Sequence, residues 1–190
     1  MANRILTPAQ DGTPVQICFR DLTDFGPAAA NDLRVGSPTL VNLDLTGVAS
    51  AAARQSAKFD FGALRAPRYV PRGALELAAT PTAGLTIDLY LAPSGSATAG
   101  TANAGGASGA DAAYTGYSSN LEASIKQLQF IGAFVVTAQA TATIQIAEGQ
   151  PFEPYERYGS LIVINRSGAA FHSDAVEIHI VFDPVFDEVQ

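Results

Sequence analysis

The sequence predicts an all-β fold, an antiparallel sandwich of two sheets, on three observations. About eight short stretches that alternate apolar and polar residues follow one another from Leu40 onward, the period expected of half-buried strands. No long amphipathic helix separates them, so the crossovers that parallel strands require are missing. Clusters of Gly, Pro and Thr punctuate the gaps, as in Thr80-Pro-Thr-Ala-Gly84 and Glu148-Gly-Gln-Pro151. A jelly roll is the first choice of topology and a plainer Greek-key sandwich the second.

Thr7-Pro-Ala-Gln-Asp-Gly-Thr-Pro14 is too rich in turn residues for a helix interior. Val15 to Phe19 is a short strand candidate, broken by Asp24-Phe-Gly-Pro27. Residues 1–35 as a whole hold few anchoring apolar groups and are expected to form an arm, with the sandwich spanning 36–190. On that expectation, deletion of residues 1–30 leaves the sandwich folded. Thr39 to Leu45 alternates, and Gly47 to Ala53 is an alanine patch of either type. Ser56 to Phe61 sets Lys58 and Asp60 against Phe59 and Phe61, giving one wet face. The prolines of Ala66-Pro-Arg-Tyr-Val-Pro71 place that segment at a sheet edge or in a connection.

Ala74 to Ala78 and Leu85 to Leu91 are both clear alternators, joined by a hairpin loop or by a connection that switches sheets. Residues 93–119 are dominated by Gly, Ala, Ser and Thr, which predicts a long flexible loop. Leu121, Ile125 and Leu128 fit one face of a short helix, but the β-branched and aromatic run from Phe130 argues for a strand from about 126. Ala140 to Ala147 alternates. Tyr158 to Asn165 then reads as a buried strand, and Asp174 to Phe182 as the strand that returns from it after a tight loop.

Composition narrows the function classes. The hydrophobic share is 47% and only 15% of residues are charged, low for a solvated surface. A subunit inside an assembly has this character, and so does a product of a GC-rich genome. The net charge of −7 argues against general nucleic-acid binding. Cys18 is the sole cysteine, so neither an internal disulfide nor a thiolate cluster can form, and its neighbours Ile17 and Phe19 predict a buried, inert thiol. The first residues lack the continuous apolar core of a signal peptide, and no run approaches ~18 apolar residues, so a cytoplasmic product without a membrane span is expected.

The chemistry-bearing residues form no recognisable catalytic set. His172-Ser173-Asp174 invites a triad reading, but no Gly-x-Ser-x-Gly elbow occurs, and the side chains of Ser173 and Asp174 more simply cap a turn. Glu177 and His179 are expected on the wet face of the last strand, where a metal would still need a third donor. The glycines of 100–109 lack the Lys-Ser/Thr ending of a phosphate loop, and Asn165-Arg166-Ser167 matches a glycosylation acceptor by pattern alone. No catalytic residue, metal ligand or cofactor is therefore expected.

Charge placement is more informative. Arg54, Lys58, Arg65, Arg68 and Arg72 crowd one stretch, while Asp183, Asp187 and Glu188 crowd the C-terminus. These read as two solvated edges or as a docking pair in which Arg65, Arg68 and Arg72 meet an acidic neighbour such as the Asp183, Asp187 and Glu188 tail of a second subunit. Contact of the arginines with packaged nucleic acid is a third account, opposed by the net charge.

Tyr158-Gly-Ser-Leu-Ile-Val-Ile-Asn-Arg-Ser-Gly-Ala-Ala-Phe-His-Ser-Asp174, with Asp183-Pro-Val-Phe-Asp-Glu188 after it, resembles small structural proteins of tailed-bacteriophage virion modules. Leu85-Thr-Ile-Asp-Leu-Tyr-Leu-Ala-Pro-Ser94 carries the same likeness. The resemblance implies a non-enzymatic virion subunit assembled in the host cytoplasm. It further implies a homo-oligomer that decorates or cements the shell by binding the major capsid protein, or else a neck or tail component. A carbohydrate-binding sandwich is the alternative from another class, with Tyr114, Tyr117, Tyr155 and Tyr158 as the aromatics that sugars would stack on.

Overall fold

The computed structural model describes residues 15–174 and 176–186. Among the described residues are eleven strands: β1 Ile17–Arg20, β2 Thr39–Asn42, β3 Ala53–Gln55, β4 Phe59–Asp60, β5 Arg68–Leu75, β6 Thr86–Ser94, β7 Ala112–Ala113, β8 Gln129–Val135, β9 Gln145–Glu148, β10 Tyr158–Asn165 and β11 His179–Val185. They form two sheets, one in the order β2-β1-β11-β5-β9 and one in the order β7-β3-β10-β6-β8, with β4 also paired to β10. Every strand pairing is antiparallel except β1 with β2, which is parallel. The mostly antiparallel two-sheet architecture is the one expected.

The pairings nest along the chain. β1 pairs with the last strand β11, β3 with β10, β5 with β9, and β6 with β8. Successive pairs of that nest fall in alternate sheets, so the connection between β5 and β6 switches sheets instead of turning a hairpin. The same holds for β10 and β11, which were expected to pair. They are the centres of opposite sheets. The thirteen residues between Asn165 and His179 are too many for a tight hairpin, and each strand finds other partners on both of its edges.

Other boundaries also move. β1 lies inside the segment expected as an arm, with Ile17, Cys18 and Phe19 buried. Removal of residues 1–30 therefore takes out a sheet strand, and the boundary at 35 falls too late. Pro71 sits in β5, an interior strand, not at an edge. Tyr69 exchanges two hydrogen bonds with Phe152 at 2.9 Å on the side of β9, and the nitrogen of Pro71 faces the same side two residues on. There the partner strand breaks at Gly149, whose N–H donates to the Pro71 carbonyl at 2.8 Å. The missing N–H costs nothing at such a gap. Leu121–Ser124 forms α1, continued as a 3-10 turn through Gln127, and β8 begins only at Gln129. Asn120 sets this start, because its side chain accepts from the Ala123 N–H at 3.0 Å.

An aromatic cluster joins the sheets. Phe19 and Phe182 face inward from the first sheet, Phe59 and Phe61 from the second, with edge-on ring separations of 4.7 Å for Phe19–Phe182, 4.9 Å for Phe19–Phe59 and 4.8 Å for Phe59–Phe61. Phe152 closes on Phe182 at 5.0 Å. The edge-on geometry sets the positive rim of one ring against the negative face of the next. Gly73 of β5 lets Phe134 cross from the opposite sheet, since a Cβ there would approach the Phe134 ring to 2.7 Å.

Both sheets are also covered on their outer faces. Residues 21–38 form a strap over the first sheet. The stretch 95–128 folds back on the second, where Tyr114, Ala107 and Ile125 pack on Ile162, Ile164 and Ala53. That excursion was expected as a flexible loop, yet it carries 3-10 turns at 104–106 and 117–119 and the short strand β7. Its small residues permit close approach: a Cβ on Gly105, whose φ is +63°, would collide with Leu128 and the Tyr114 hydroxyl. The Phe182→Ala variant, which removes the ring shared by both sheets, is expected to lose about 3–5 kcal/mol of unfolding free energy in urea titration. A loss similar to that of an exposed site would show that the cluster is dispensable.

Candidate functional site

The basic stretch of the sequence is not a basic patch of the surface. Arg54 is committed to Asp111, whose carboxylate accepts from Arg54 Nε at 2.7 Å, from Asn42 Nδ2 at 3.0 Å and from the Asp44 N–H at 3.2 Å. This node ties the end of β2 to β3 and to the excursion. Arg72 reaches Asp183 on the adjacent strand β11 at 3.2 Å and Glu148 on β9 at 3.6 Å, so two of the expected docking residues, Arg72 and Asp183, satisfy each other within one chain. Gln16 adds a 2.6 Å bond to Asp183. Arg65 is exposed on the turn after Phe61, beside exposed Leu64, and Arg68 is half-buried at the start of β5. Asp187 and Glu188 lie outside the described residues.

Lys58 is drawn inward. Its three N–H donors are shared among four oxygens, Ser94 Oγ at 2.8 Å and the carbonyls of Ser96, Thr98 and Thr101 at 3.0, 2.6 and 2.8 Å. Four oxygens from one loop converge on a single ammonium.

His179 is not on a wet face but fully buried. Its Nε2 accepts from the Leu33 N–H at 3.0 Å, and its Nδ1 donates to the Glu177 carbonyl at 2.8 Å, so the network assigns the neutral Nδ1–H tautomer. Glu177 faces the strap as well, accepting from the Ala28 N–H at 2.9 Å and from Asn31 Nδ2 at 2.7 Å. Phe25 stacks its edge on the imidazole at 5.1 Å and lies under both the Arg20 and Arg34 guanidinium groups, at 4.5 and 4.8 Å. Glu177 and His179 thus fasten the strap to β11 and leave no nitrogen for a metal. The reason is topological: β11 is a central strand, and its outer side is roofed.

His172 Nδ1 accepts from the Asp174 backbone N–H at 3.1 Å and stands 3.5 Å from Glu76 Oε1. The Asp174 carboxylate instead accepts from the Val176 N–H at 3.3 Å, the turn-capping role expected of it. Ser173, His172 and Asp174 therefore do not form a proton relay. Burial raises the Glu76 carboxyl above its usual range. Cys18 is buried as expected, and burial pushes its thiol up to about 12, which leaves it un-ionised at neutral pH. Asn165 is buried, with Nδ2 donating to the Val48 and Ala169 carbonyls at 3.0 and 2.8 Å, so the acceptor pattern there is structural.

Of the tyrosines, Tyr114 is buried and its hydroxyl donates to the Gly105 carbonyl at 2.5 Å. Tyr117 and Tyr155 are exposed, and Tyr158 lies under the Arg157 guanidinium at 5.1 Å. Asp60 and Arg157 join the turn after Phe61 to the loop bearing Tyr155, so Leu64, Arg65 and Tyr155 share one end of the sandwich.

One surface was not singled out by sequence reasoning. β8 and β9 each form one edge of their sheet, opposite β7 and β2, and they lie side by side across a groove of about 310 Å3 lined by Val135, Ile144 and Ile146. Phe130, Val135 and Ile146 are exposed along these edges, Val135 at 62%. The alternation of β8 carried the signal, since outward-facing positions that are apolar break the usual pattern of a wet face.

Among the described residues, no group of three or more His, Cys, Asp and Glu is placed to hold a metal, and no helix is long and apolar enough to cross a membrane. No family model, curated protein or solved structure matches the chain.

The His179 environment predicts a pH dependence. Burial is the main cause that lowers its pKa below the ordinary 6.5, against the opposing pull of the Glu177 carbonyl and Asp32. A histidine that is neutral when folded and protonated more readily when unfolded adds stability above 6.5, and that contribution is lost as pH falls from there through the lower folded value. Urea unfolding between about pH 7.5 and 5.5 should show stability falling in the native chain and a flatter profile in His179→Gln. Parallel profiles would remove His179 from the account.

Proposed function

We propose that this protein is a non-enzymatic structural subunit of a tailed-phage virion, a jelly-roll cement protein that binds the major capsid protein and associates with its own copies. The observation that carries the reading is the pair of open edges, β8 and β9, with Phe130, Val135 and Ile146 turned outward. Unpaired backbone and apolar side chains on one edge are costly to leave in water and suit a surface that a neighbouring subunit covers. β8 also carries an irregularity opposite Leu89 and Tyr90, a device that limits open-ended pairing while leaving a shaped contact.

The nested strand pairs support the jelly-roll assignment. Reading β3 and β4 as one interrupted strand, the first sheet takes the first, eighth, third and sixth strands of the nest and the second takes the second, seventh, fourth and fifth. Jelly rolls of this kind build viral shells and also lectins, so the fold narrows the field by analogy alone. Against the lectin reading stands the burial of Tyr114 and the engagement of Tyr158 by Arg157. A cement subunit works by binding the assembled shell, which adds its binding free energy to the stability of that shell.

Mass spectrometry of purified particles tests the assignment directly: a high copy number is expected, a few copies would move the protein to the neck or tail, and absence would overturn the reading. The contact surfaces are tested separately. Val135→Lys with Phe130→Lys should weaken shell binding or self-association by about tenfold or more without altering the circular dichroism spectrum. Arg65→Glu with Arg68→Glu should abolish assembly at physiological salt if the exposed end bearing Leu64 and Tyr155 is a docking surface. Normal assembly of that double variant would exclude the end from the interface.

A further inference from the structure

Lys58 lies in the interruption between β3 and β4, where its own N–H donates to the Gly109 carbonyl at 2.9 Å. Its side chain runs into the loop that follows β6. The loop closes on itself through a bridge between Ser94 and Asn103. Within that ring the carbonyls of Ser96, Thr98 and Thr101 and the Ser94 hydroxyl all turn toward the ammonium, at 2.6 to 3.0 Å. The Ser94 hydroxyl directs its own proton to the Ser96 or Thr101 carbonyl, at 3.2 and 3.1 Å, which leaves a lone pair for the ammonium. These distances are those of charge-assisted hydrogen bonds.

Carbonyl oxygens that converge on one point repel each other unless a cation sits among them. Rings of backbone carbonyls are also how proteins replace the hydration shell of potassium, whose size an ammonium group approximates. A solvated surface lysine does not have this shell, and the chain offers its own comparison. It contains two lysines, Lys58 and Lys126, and Lys126 is exposed on the 3-10 turn before β8.

We propose that residues 94–103 form an oxygen cage for a monovalent cation, that the Lys58 ammonium is its tethered guest, and that this guest holds the 95–128 excursion closed over the second sheet. The excursion starts at the cage, and the backbone bond from Lys58 to Gly109 ties its middle to the same residue. Loss of the charged group therefore frees the cover of β10 at one end while leaving the inner core untouched. Loss of the whole side chain leaves a vacancy of the size and polarity that potassium or ammonium ion takes.

The test uses the full chain, as wild type, Lys58→Met and Lys58→Ala, under limited proteolysis in potassium, ammonium or N-methylglucamine chloride at equal ionic strength. Cleavage within 95–119 should rise by about tenfold or more in Lys58→Met in every salt, because the methionine fills the cage without charge. In Lys58→Ala it should rise in N-methylglucamine and return toward the wild-type rate with saturating potassium or ammonium ion. Wild-type cleavage rates in both variants would overturn the proposal, as would an alanine variant that is cleaved equally fast in all three salts. Should the variants fail to fold, wild-type protein labelled with nitrogen-15 lysine decides the matter. A slowly exchanging ammonium signal from Lys58 beside a fast one from Lys126 is expected. Two equally fast signals would overturn the proposal.

Discussion

β10 and β11, the central strands of opposite sheets, must be buried on both faces, and much of the remaining structure follows from that constraint. A strand covered on both sides has no place for an unpaired charge, which is why Leu161, Ile162, Val163 and Ile164 run without a break. Leu161 and Val163 meet the inner core, whereas Ile162 and Ile164 meet Tyr114, Ala107 and Ile125 of the excursion. On the other sheet, Cys18, His179 and Val181 are buried, and Leu33 and Phe25 of the strap meet His179 directly. Each roof is made of chain that is neither long strand nor long helix, so each must be fastened by side chains. Glu177 and His179 fasten one, and Lys58, Tyr114 and Asp111 fasten the other.

This double cover accounts for a composition that otherwise points elsewhere. A charged share of 15% suggests surfaces hidden by neighbouring subunits. Much of what is hidden is hidden by the chain itself. The charges that exist are largely paired in place: Asp60 with Arg157, Asp88 and Glu122 with Arg166, Asp111 with Arg54. Exposed pairs of this type stabilise little singly. Those that link the excursion to a sheet, such as Arg166 between Asp88 and Glu122, instead fix where the roof sits. Exposed apolar side chains remain on the β8 and β9 edges and at the end bearing Leu64, Arg65 and Tyr155, as well as at Val35 on the strap and Leu40 on β2.

The sequence showed the strands more clearly than their partners. Alternation placed β2, β6 and the aromatic side of β4, because period two is a local property, whereas of Ala140 to Ala147 only the part from Gln145 is strand and the rest turns. It did not reveal that β10 and β11 belong to different sheets, since their pairings join residues from 64 positions apart, as in Tyr158 with Ser94, to 165 apart, as in Ile17 with Phe182. The excursion was misread for a compositional reason. Gly105, Gly109 and Gly116 look like flexibility when counted, yet each stands where a side chain would strike Leu128, the Ala99 carbonyl or Ser124. His179 was misplaced because Glu177-Ile-His-Ile alternates as an exposed strand does, and only the strap, far upstream, makes its polar side an interior. Arg72 and Asp183 were correctly seen as complementary, but their meeting is between neighbouring strands of one chain.

The pairing of Ile17 with Phe182 has a consequence for how the molecule is made. During synthesis β1 emerges early and waits for nearly the whole chain before its antiparallel partner exists, and the nested pairs inside it wait in turn. Among the nested pairs, the innermost, β6 with β8, is the first whose two strands have both been synthesised. The later strands β9, β10 and β11 then supply the partners of β5, β3 and β1 in that order. Long-range pairings of this sort fold slowly, on the order of milliseconds to seconds. Through that interval Phe19 and Phe59 lack the ring of Phe182. A nascent chain of this design depends on being finished, and a truncated product would present its unsatisfied aromatics to whatever protein is nearest.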